Sequence, residues 1–403
     1  MSDVYVARQP IFDHYQNVFG YELLYRGSEK NAFDGTEDNL ATASLIDNLH
    51  FTGFDSLIEN GVGFINFPQA LLIDKTPMIF AKDKLVIEVL ERAEITEELV
   101  AAVAEMQKAG YTIALDDFEI GPEEKKHEAI LPYVSIIKVD ISQYTPQQQK
   151  RIAMKYRKAH RLLAECVETR EEFDALKRMG YTLFQGYFFS KPIMSRARSI
   201  NALPDNLILI SAELGQPEPN YRAIAAIFKQ DVALTYKLLA IANSAYFGTK
   251  RRITSVRQAL VHLGVQELFK WVNLMMIRGM QTHENAELIK QSLVRGKLLS
   301  QIAHKMRRDQ DEPDFFLGGL FSSLDVLLGE GMEQVLDRLP LSEPVREALS
   351  GQDNELKHWI DALVSFEHTE WAPLDEVIEE SGLERSEFMD EYYDALKWQQ
   401  TLS

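Results

Sequence analysis

The sequence predicts an α/β barrel followed by an all-helical domain, and three observations carry that prediction. Up to Pro192, short apolar runs alternate with helix-like stretches. Beyond it, β-branched alternation disappears and apolar residues recur at helical period. The 403 residues leave room for two to three domains at about 150 residues each.

The elements follow in order. Val62–Phe67 (VGFINF) and Leu85–Leu90 (LVIEVL) read as strands. Ile95–Ala109 reads as a helix with Thr96 as N-cap and Gly110 as its stop. Tyr111–Phe118 (YTIALDDF) is strand-like, and a polar, proline-containing stretch runs from Glu119 to Pro132. Val134–Val139 is a strand, Gln147–Ala159 a helix and Leu162–Val167 a strand. Glu171–Met179 is a helix stopped by Gly180, and Thr182–Phe189 contains the last strand. Strands separated by helices make βα units and a largely parallel sheet. Their number suits a barrel better than a short open sheet, although spacing alone does not separate the two. Residues 193–206 are polar and read as a linker; from Leu207 onward Leu234, Leu238, Leu239 and Ile241, then Val256, Leu260, Val261 and Leu263, keep helical spacing.

Composition excludes several classes. With 46% hydrophobic and 26% charged residues, the chain has the balance of a globular protein with a full core, not of a disordered one. No run approaches the roughly 20 apolar residues of a membrane helix, and Arg8, Asp13 and His14 interrupt any leader-like apolar region. The single cysteine, Cys166, can form neither an internal disulfide nor a thiolate zinc site; a reducing cytoplasm fits best. The net charge of −18 argues against unspecific binding to DNA or anionic membranes, which needs a basic surface. A phosphorylated ligand then requires local arginines or bound metal.

One feature recurs at the strand ends: a carboxylate or amide. Glu22 follows VFGY, Asn66 lies in VGFINF, Glu88 in LVIEVL, and Asp116 and Asp117 end IALDD. Lys138 and Asp140 lie in IIKVD, Glu165 and Glu168 in LLAECVE, and Gln185 follows TLF. In a (β/α) barrel the strand C-termini converge on the face where active sites are built. Facing acids repel and raise one another's pKa, and divalent metal resolves this; hard oxygen donors suit Mg²⁺ or Mn²⁺. A single acid at a strand end is usually a solvated loop residue or a helix cap. Five separate strands ending this way are harder to explain so.

The segment Tyr21-Glu22-Leu23-Leu24-Tyr25-Arg26 resembles the signature of EAL domains, the cyclic di-GMP phosphodiesterases, in a Glu-Leu-Leu variant. The opening Ala7-Arg8-Gln9-Pro10-Ile11-Phe12-Asp13 is similar to that family's start. So are LVIEVLE (85–91), IALDDF (113–118), IIKVD (136–140), LLAECVET (162–169) and FQGYFFSKP (184–192), in the family's order. The resemblance implies a modified TIM barrel with one antiparallel strand. It implies Glu22, Asn66, Glu88 and Asp116 as ligands of a first Mg²⁺ or Mn²⁺, with Asp116 bridging to a second metal held also by Asp117. Lys138 and Glu165 resemble the groups that position and activate the attacking water, Glu168 the residue that steadies the loop after Asp117, and Gln185 the amide that completes the site. Gln9 and Arg26 resemble substrate-binding residues, Arg26 pairing with a ligand phosphate. A homodimer through the barrel fits the family pattern. One departure stands out: the family's Gly-Thr-Gly-x-Ser-Ser after the aspartates and phenylalanine is here Glu119-Ile120-Gly121-Pro122-Glu123-Glu124.

The second half resembles an HDOD domain, a helical relative of HD-type phosphohydrolases. Ala240-Ile241-Ala242-Asn243-Ser244-Ala245-Tyr246-Phe247-Gly248 and Ile253-Thr254-Ser255-Val256-Arg257-Gln258-Ala259-Leu260 carry the resemblance. Where an HD site has Gly-Leu-x-His-Asp, this chain has Gly319-Leu320-Phe321-Ser322-Ser323, and two serines cannot replace a His-Asp metal pair. The resemblance implies a non-catalytic domain that engages a protein partner. His262 is expected to pack in its apolar stretch, His304 to lie on a helix face, and Trp271, Phe269, Met275 and Met276 to be core.

The division is then 1–195 for the EAL barrel, 196–206 for the linker and 207–403 for the HDOD domain, so that a chain lacking 199–403 should still fold as a barrel. The function implied is metal-dependent hydrolysis of cyclic di-GMP to pGpG in a bacterial cytoplasm, regulated by the helical domain. The rival is a degenerate barrel that acts as a cyclic di-GMP receptor or scaffold. A Mg²⁺-dependent lyase or aldolase would fit the acids but not the motif order.

Overall fold

A computed structural model describes residues 5–26, 54–120, 122–186, 205–230, 232–243, 253, 255–279, 285–337, 339 and 341–402. The Arg26 side chain, the Gly121 turn, the 196–204 part of the linker and the Ala245–Gly248 stretch lie outside the described residues.

Eight strands close into a barrel in chain order. They are β1 Tyr5–Asp13, β2 Val18–Arg26, β3 Val62–Phe67, β4 Leu85–Val89, β5 Thr112–Leu115, β6 Ile136–Asp140, β7 Arg161–Glu165 and β8 Leu183–Phe184. Pairings from β2 to β8 are parallel, and β1 runs antiparallel to both its neighbours, β2 and β8. The expected single reversed strand is therefore β1, which closes the barrel by pairing Phe12 with Phe184 and Asp13 with Leu183.

The interior is built in layers, because strand side chains alternate between faces with a period of two. Ile11, Phe64, Val86, Ala114, Ile136, Leu163 and Leu183 form one buried apolar cluster. Two residues further along each parallel strand or its end stand Asn66, Glu88, Asp116, Lys138, Glu165 and Gln185. On the reversed strand the same step runs backwards, from Ile11 to Gln9, and Gln9 pairs with Glu22 across the hairpin. One apolar layer thus forms the floor of one polar layer.

Helices surround the sheet, and local chemistry sets their ends. α1 is Phe54–Ile58 and α2 is Gln69–Ile73. α3 (Glu97–Lys108) starts where the Thr96 hydroxyl accepts from the Leu99 amide at 3.2 Å. α4 (Pro146–Tyr156) and α5 (Arg170–Met179) carry capping boxes, Thr145 with Gln148 and Thr169 with Glu172. The stretch after Asp117 contains the short 3₁₀ turns Pro122–His127 and Leu131–Tyr133.

The packing divides the chain into two compact units: residues 1–191 with 364–403, and residues 192–363. The sequence division gives 207–403 to one helical domain, whereas by packing its last segment groups with the barrel. Helical periodicity marks which face of a helix is buried but not what buries it.

The second unit is helical: α6 Asp205–Leu214, α7 Tyr221–Gln230, α8 Val232–Ala242, α9 Val256–Gly279, α10 Ala286–Lys305, α11 Glu312–Phe321, α12 Leu324–Leu328, α13 Met332–Leu336, α14 Glu343–Leu349 and the larger part of α15 Glu355–Glu367. α9 is broken at Gly264. Asn243, from the motif stretch, acts as a latch after α8. Its amide donates to the carbonyls of Leu239 at 2.7 Å and Ile253 at 2.8 Å, and its oxygen accepts from the Ile253 amide at 2.8 Å. Trp271 and Met276 are core, while Phe269 and Met275 are half-buried. His262 corrects the sequence expectation: it is exposed beside Val261, itself 72% exposed, because both fall on the outer side of α9. His304 is exposed and pairs with Asp309.

α16 is Ala372–Ser381 and α17 is Arg385–Thr401, both in the first unit.

Gly186 tests how tightly the strand ends are packed. A Cβ there would stand 2.3 Å from the Val167 nitrogen and 2.4 Å from its oxygen, at a φ of +148°. Gly186→Ala should therefore cost about 1–3 kcal/mol, read as a lower Tm in thermal melts of the full chain.

Candidate active site

The polar layer is centred on one cation. Lys138, 1% exposed, points inward from β6, and its Nζ lies 2.7 Å from Asp116, 2.8 Å from Glu88, 3.0 Å from Glu22 and 3.2 Å from Glu165. Four strands or strand ends thus bring a carboxylate to the same ammonium. Asp116 sits just past β5, held by its amide donating to Val89 O at 3.0 Å.

Amides complete the layer. Gln185 Nε2 donates to Glu22 Oε2 at 2.7 Å and to Gln9 Oε1 at 2.9 Å. Asn66 Nδ2 donates to Glu22 Oε1 at 3.3 Å. The Gln185 backbone is fixed on both sides, its N–H donating to Ala164 O at 2.8 Å and its C=O accepting from Val167 N at 3.1 Å.

The electrostatics are those of an acid-rich, largely buried site. Burial lifts Glu88 well above the ordinary carboxylate range, and Lys138 offsets this only in part. Burial, with Asp116 and Glu22 adding to it against Lys138, pushes Glu165 up to about 8. Burial raises Asp116 as well, and burial with the charges of Asp116 and Glu91 pushes Asp117 to about 6. Glu22 alone is lowered: burial opposes ionisation, but Lys138 and the amide donors outweigh it. Lys138 is raised far above its usual value despite burial, because four carboxylates face it.

Two carboxylate groups have the spacing of cation ligands. Glu22, Glu88 and Asp116 form one, and Glu91, Asp116 and Asp117 the other, each with oxygens within 4.8 Å of one another. The donor set fits a hard divalent cation: it is all oxygen. Buried Asn66 Oδ1, Glu88 Oε2, Glu165 Oε2 and Gln185 Oε1 have no hydrogen-bond partner, and unpaired buried acceptors are costly unless something occupies them.

Of the residues singled out in the sequence, Gln9, Glu22, Asn66, Glu88, Asp116, Lys138, Glu165 and Gln185 come together. Asp117 stands at the rim, exposed, with a φ of +41°. Glu168 is exposed, and its amide donates to Glu172 Oε2 at 2.9 Å. Glu91 was missed by the sequence reading, although it closes the motif LVIEVLE; it lies past the strand, where period-two counting no longer applies. In the second unit the Ser322 and Ser323 hydroxyls both accept from Arg295 Nη1 at 2.8 Å. Gly319, one turn earlier, packs against the Arg295 backbone, 2.6 Å from where a Cβ would stand. The two serines that stand where the HD pattern has its His-Asp pair thus hold a guanidinium.

Comparison with known proteins gives consistent matches. The EAL domain pattern matches residues 49–192 and the HDOD domain pattern residues 200–359. The first match begins after Gln9 and Glu22, which the barrel geometry places in the site. The chain is 36% identical over 412 residues to the cyclic di-GMP phosphodiesterase CdgJ of Vibrio cholerae, spanning 100% of this chain and 94% of that protein. It is 33% identical over 402 residues to the uncharacterized protein YuxH of Bacillus subtilis, spanning 98% of each. Among solved structures it is similar to an EAL domain protein from Listeria monocytogenes, at 22% identity and a TM-score of 0.36, over 46% of this chain and 87% of that one.

Removing the central cation should expose the conflict among the acids. Lys138→Met should lower stability in EDTA by about 3–5 kcal/mol, and Mn²⁺ should recover part of the loss, as read by melts with and without the ion.

Proposed function

The chain belongs to the family of proteins that join an EAL domain to an HDOD domain, and from that premise we propose that it hydrolyses cyclic di-GMP to linear pGpG. The observation that carries this reading is the convergence of four carboxylates on Lys138, with two amides fixing one of them, Glu22, on both of its oxygens. Glu22, Asn66, Glu88 and Asp116 would hold one divalent cation, and Asp116 and Asp117 a second; Mg²⁺ and Mn²⁺ both suit the oxygen donors. Bound there, the ions supply Lewis-acid charge to the phosphoryl oxygens and a water acidified for attack.

The chain's own groups do the rest. Glu165 Oε2, unpaired and buried, accepts the proton of the attacking water. Lys138 Nζ, 3.2 Å from Glu165, positions that water and sets positive charge against the negative charge that develops on the phosphoryl oxygens. Gln185 holds Glu22 and Gln9 in register and so fixes the depth at which a phosphate sits. Water adds to phosphorus, the bond to the ribose 3′ oxygen breaks, and that oxygen takes a proton. Arg26 is assigned to a ligand phosphate by its motif alone, and Glu168 to support of the loop after Asp117 by the same route.

The family pattern supports a homodimer through the barrel and a protein partner on the HDOD domain. No helix among the described residues is long and apolar enough to cross a membrane, and the single cysteine suits the cytoplasm. A second reading, a receptor that binds cyclic di-GMP without cutting it, is favoured by one feature. Asp117 stands exposed in a left-handed backbone conformation ahead of a loop without the family's glycine-rich sequence.

A turnover assay separates the two. Purified chain with cyclic di-GMP and Mn²⁺ should yield pGpG, and Glu22→Ala should lower the rate by on the order of 10³-fold. Binding without product, measured by titration of the same sample, would favour the receptor.

A further inference from the structure

The C-terminal segment beyond the HDOD pattern, residues 360–403, ends in α17, which packs against α1 and β1 of the barrel. α1 is only five residues long, so its last carbonyls have no donors within the helix. Two side chains from distant parts of the sequence supply them. Gln400 Nε2 of α17 donates to Ser56 O at 2.7 Å. Arg8 Nη1 of β1 donates to Leu57 O at 3.0 Å and pairs with Glu59 at 3.1 Å. Arg8 is buried, and its guanidinium lies 4.4 Å from the centre of the Tyr21 ring on β2.

α1 is in turn seated directly on the sheet. The Phe54 ring comes so close to β3 that a Cβ at Gly63 would stand 2.8 Å from it. Three residues beyond Gly63 is Asn66, and on the other face of β1 and β2 stand Gln9 and Glu22. Met389, Tyr393 and Leu396 of α17 are buried at the helical spacing that ends at Gln400. The neighbouring line, Phe388 and Tyr392, meets Phe366 edge to face, with ring centres 5.6 and 5.2 Å apart, which anchors the helix within the same unit.

We propose that α17 is a stave of the catalytic barrel and that Gln400 is a positioning residue, holding α1 against the strands that carry Gln9, Glu22 and Asn66. The helical unit 192–363 is then an insertion joined to the barrel at both of its ends, and a chain lacking 199–403 loses part of the barrel along with that unit. The positioning role rests on the metal-site reading above; the docking does not.

The test uses the full chain without cyclic di-GMP, so failure of the hydrolase reading leaves it intact. Hydrogen exchange of residues 54–59 and Mn²⁺ affinity are compared in wild type, Gln400→Glu, which loses the donor, and Gln400→Lys, which restores one. Gln400→Glu should speed exchange at 54–59 by about fivefold to tenfold and weaken Mn²⁺ binding, and Gln400→Lys should reverse both. Amides of β6 serve as the control for general loosening; if they also speed up, Leu396→Ala replaces the first variant. Wild-type exchange at 54–59 in both Gln400→Glu and Leu396→Ala would overturn the stave. Faster exchange with unchanged Mn²⁺ affinity would overturn the positioning role.

Discussion

The two-residue period of a strand inside a closed barrel is the constraint from which the site follows. Side chains at alternate positions must point inward, and the barrel is too narrow to leave those positions empty. The apolar layer from Ile11 to Leu183 fills the interior. The next inward positions can be polar only if they satisfy one another. A single ammonium among four carboxylates does this in part, and the amides of Asn66 and Gln185 add directional donors. The remaining unpaired acceptors give the layer its appetite for a divalent cation.

Much of this was legible in the sequence because it depends on spacing along strands. Val86 to Glu88, Ile136 to Lys138 and Leu163 to Glu165 are the same step in three strands, visible without coordinates. The site residues that escaped, or whose place shifted, do not lie on that step. Glu91 joins Asp116 and Asp117 through a turn after β4. Gln9 reaches the layer because β1 runs backwards, which the family resemblance supplied and the periodicity did not. Glu168 was grouped with the acids by motif, but it points out past the end of β7.

In the helical half, spacing gave the elements but not their partners. Val261 and His262 lie in an apolar stretch yet face outward, since a helix needs only one apolar stripe. By its spacing α17 looks like more of the same helical domain, and only the packing shows that the helix meets β1 and α1. By contrast Asn243, part of a recognised motif, proved to be a backbone latch, a role that needs the distance to Ile253 to be seen.

The reversed first strand also has a consequence for how the protein is made. β1 cannot find both neighbours until β8 has been synthesised, and pairings so distant in sequence form slowly. During translation the ribosome completes the eight strands, then the whole second unit, and only afterwards Met389 to Gln400. A nascent barrel therefore waits, with the outer side of β1 and α1 uncovered, while another domain folds ahead of its last helix. That interval leaves apolar surface exposed until the last helix is made, so the order of the segments places the barrel's final packing step at the end of synthesis.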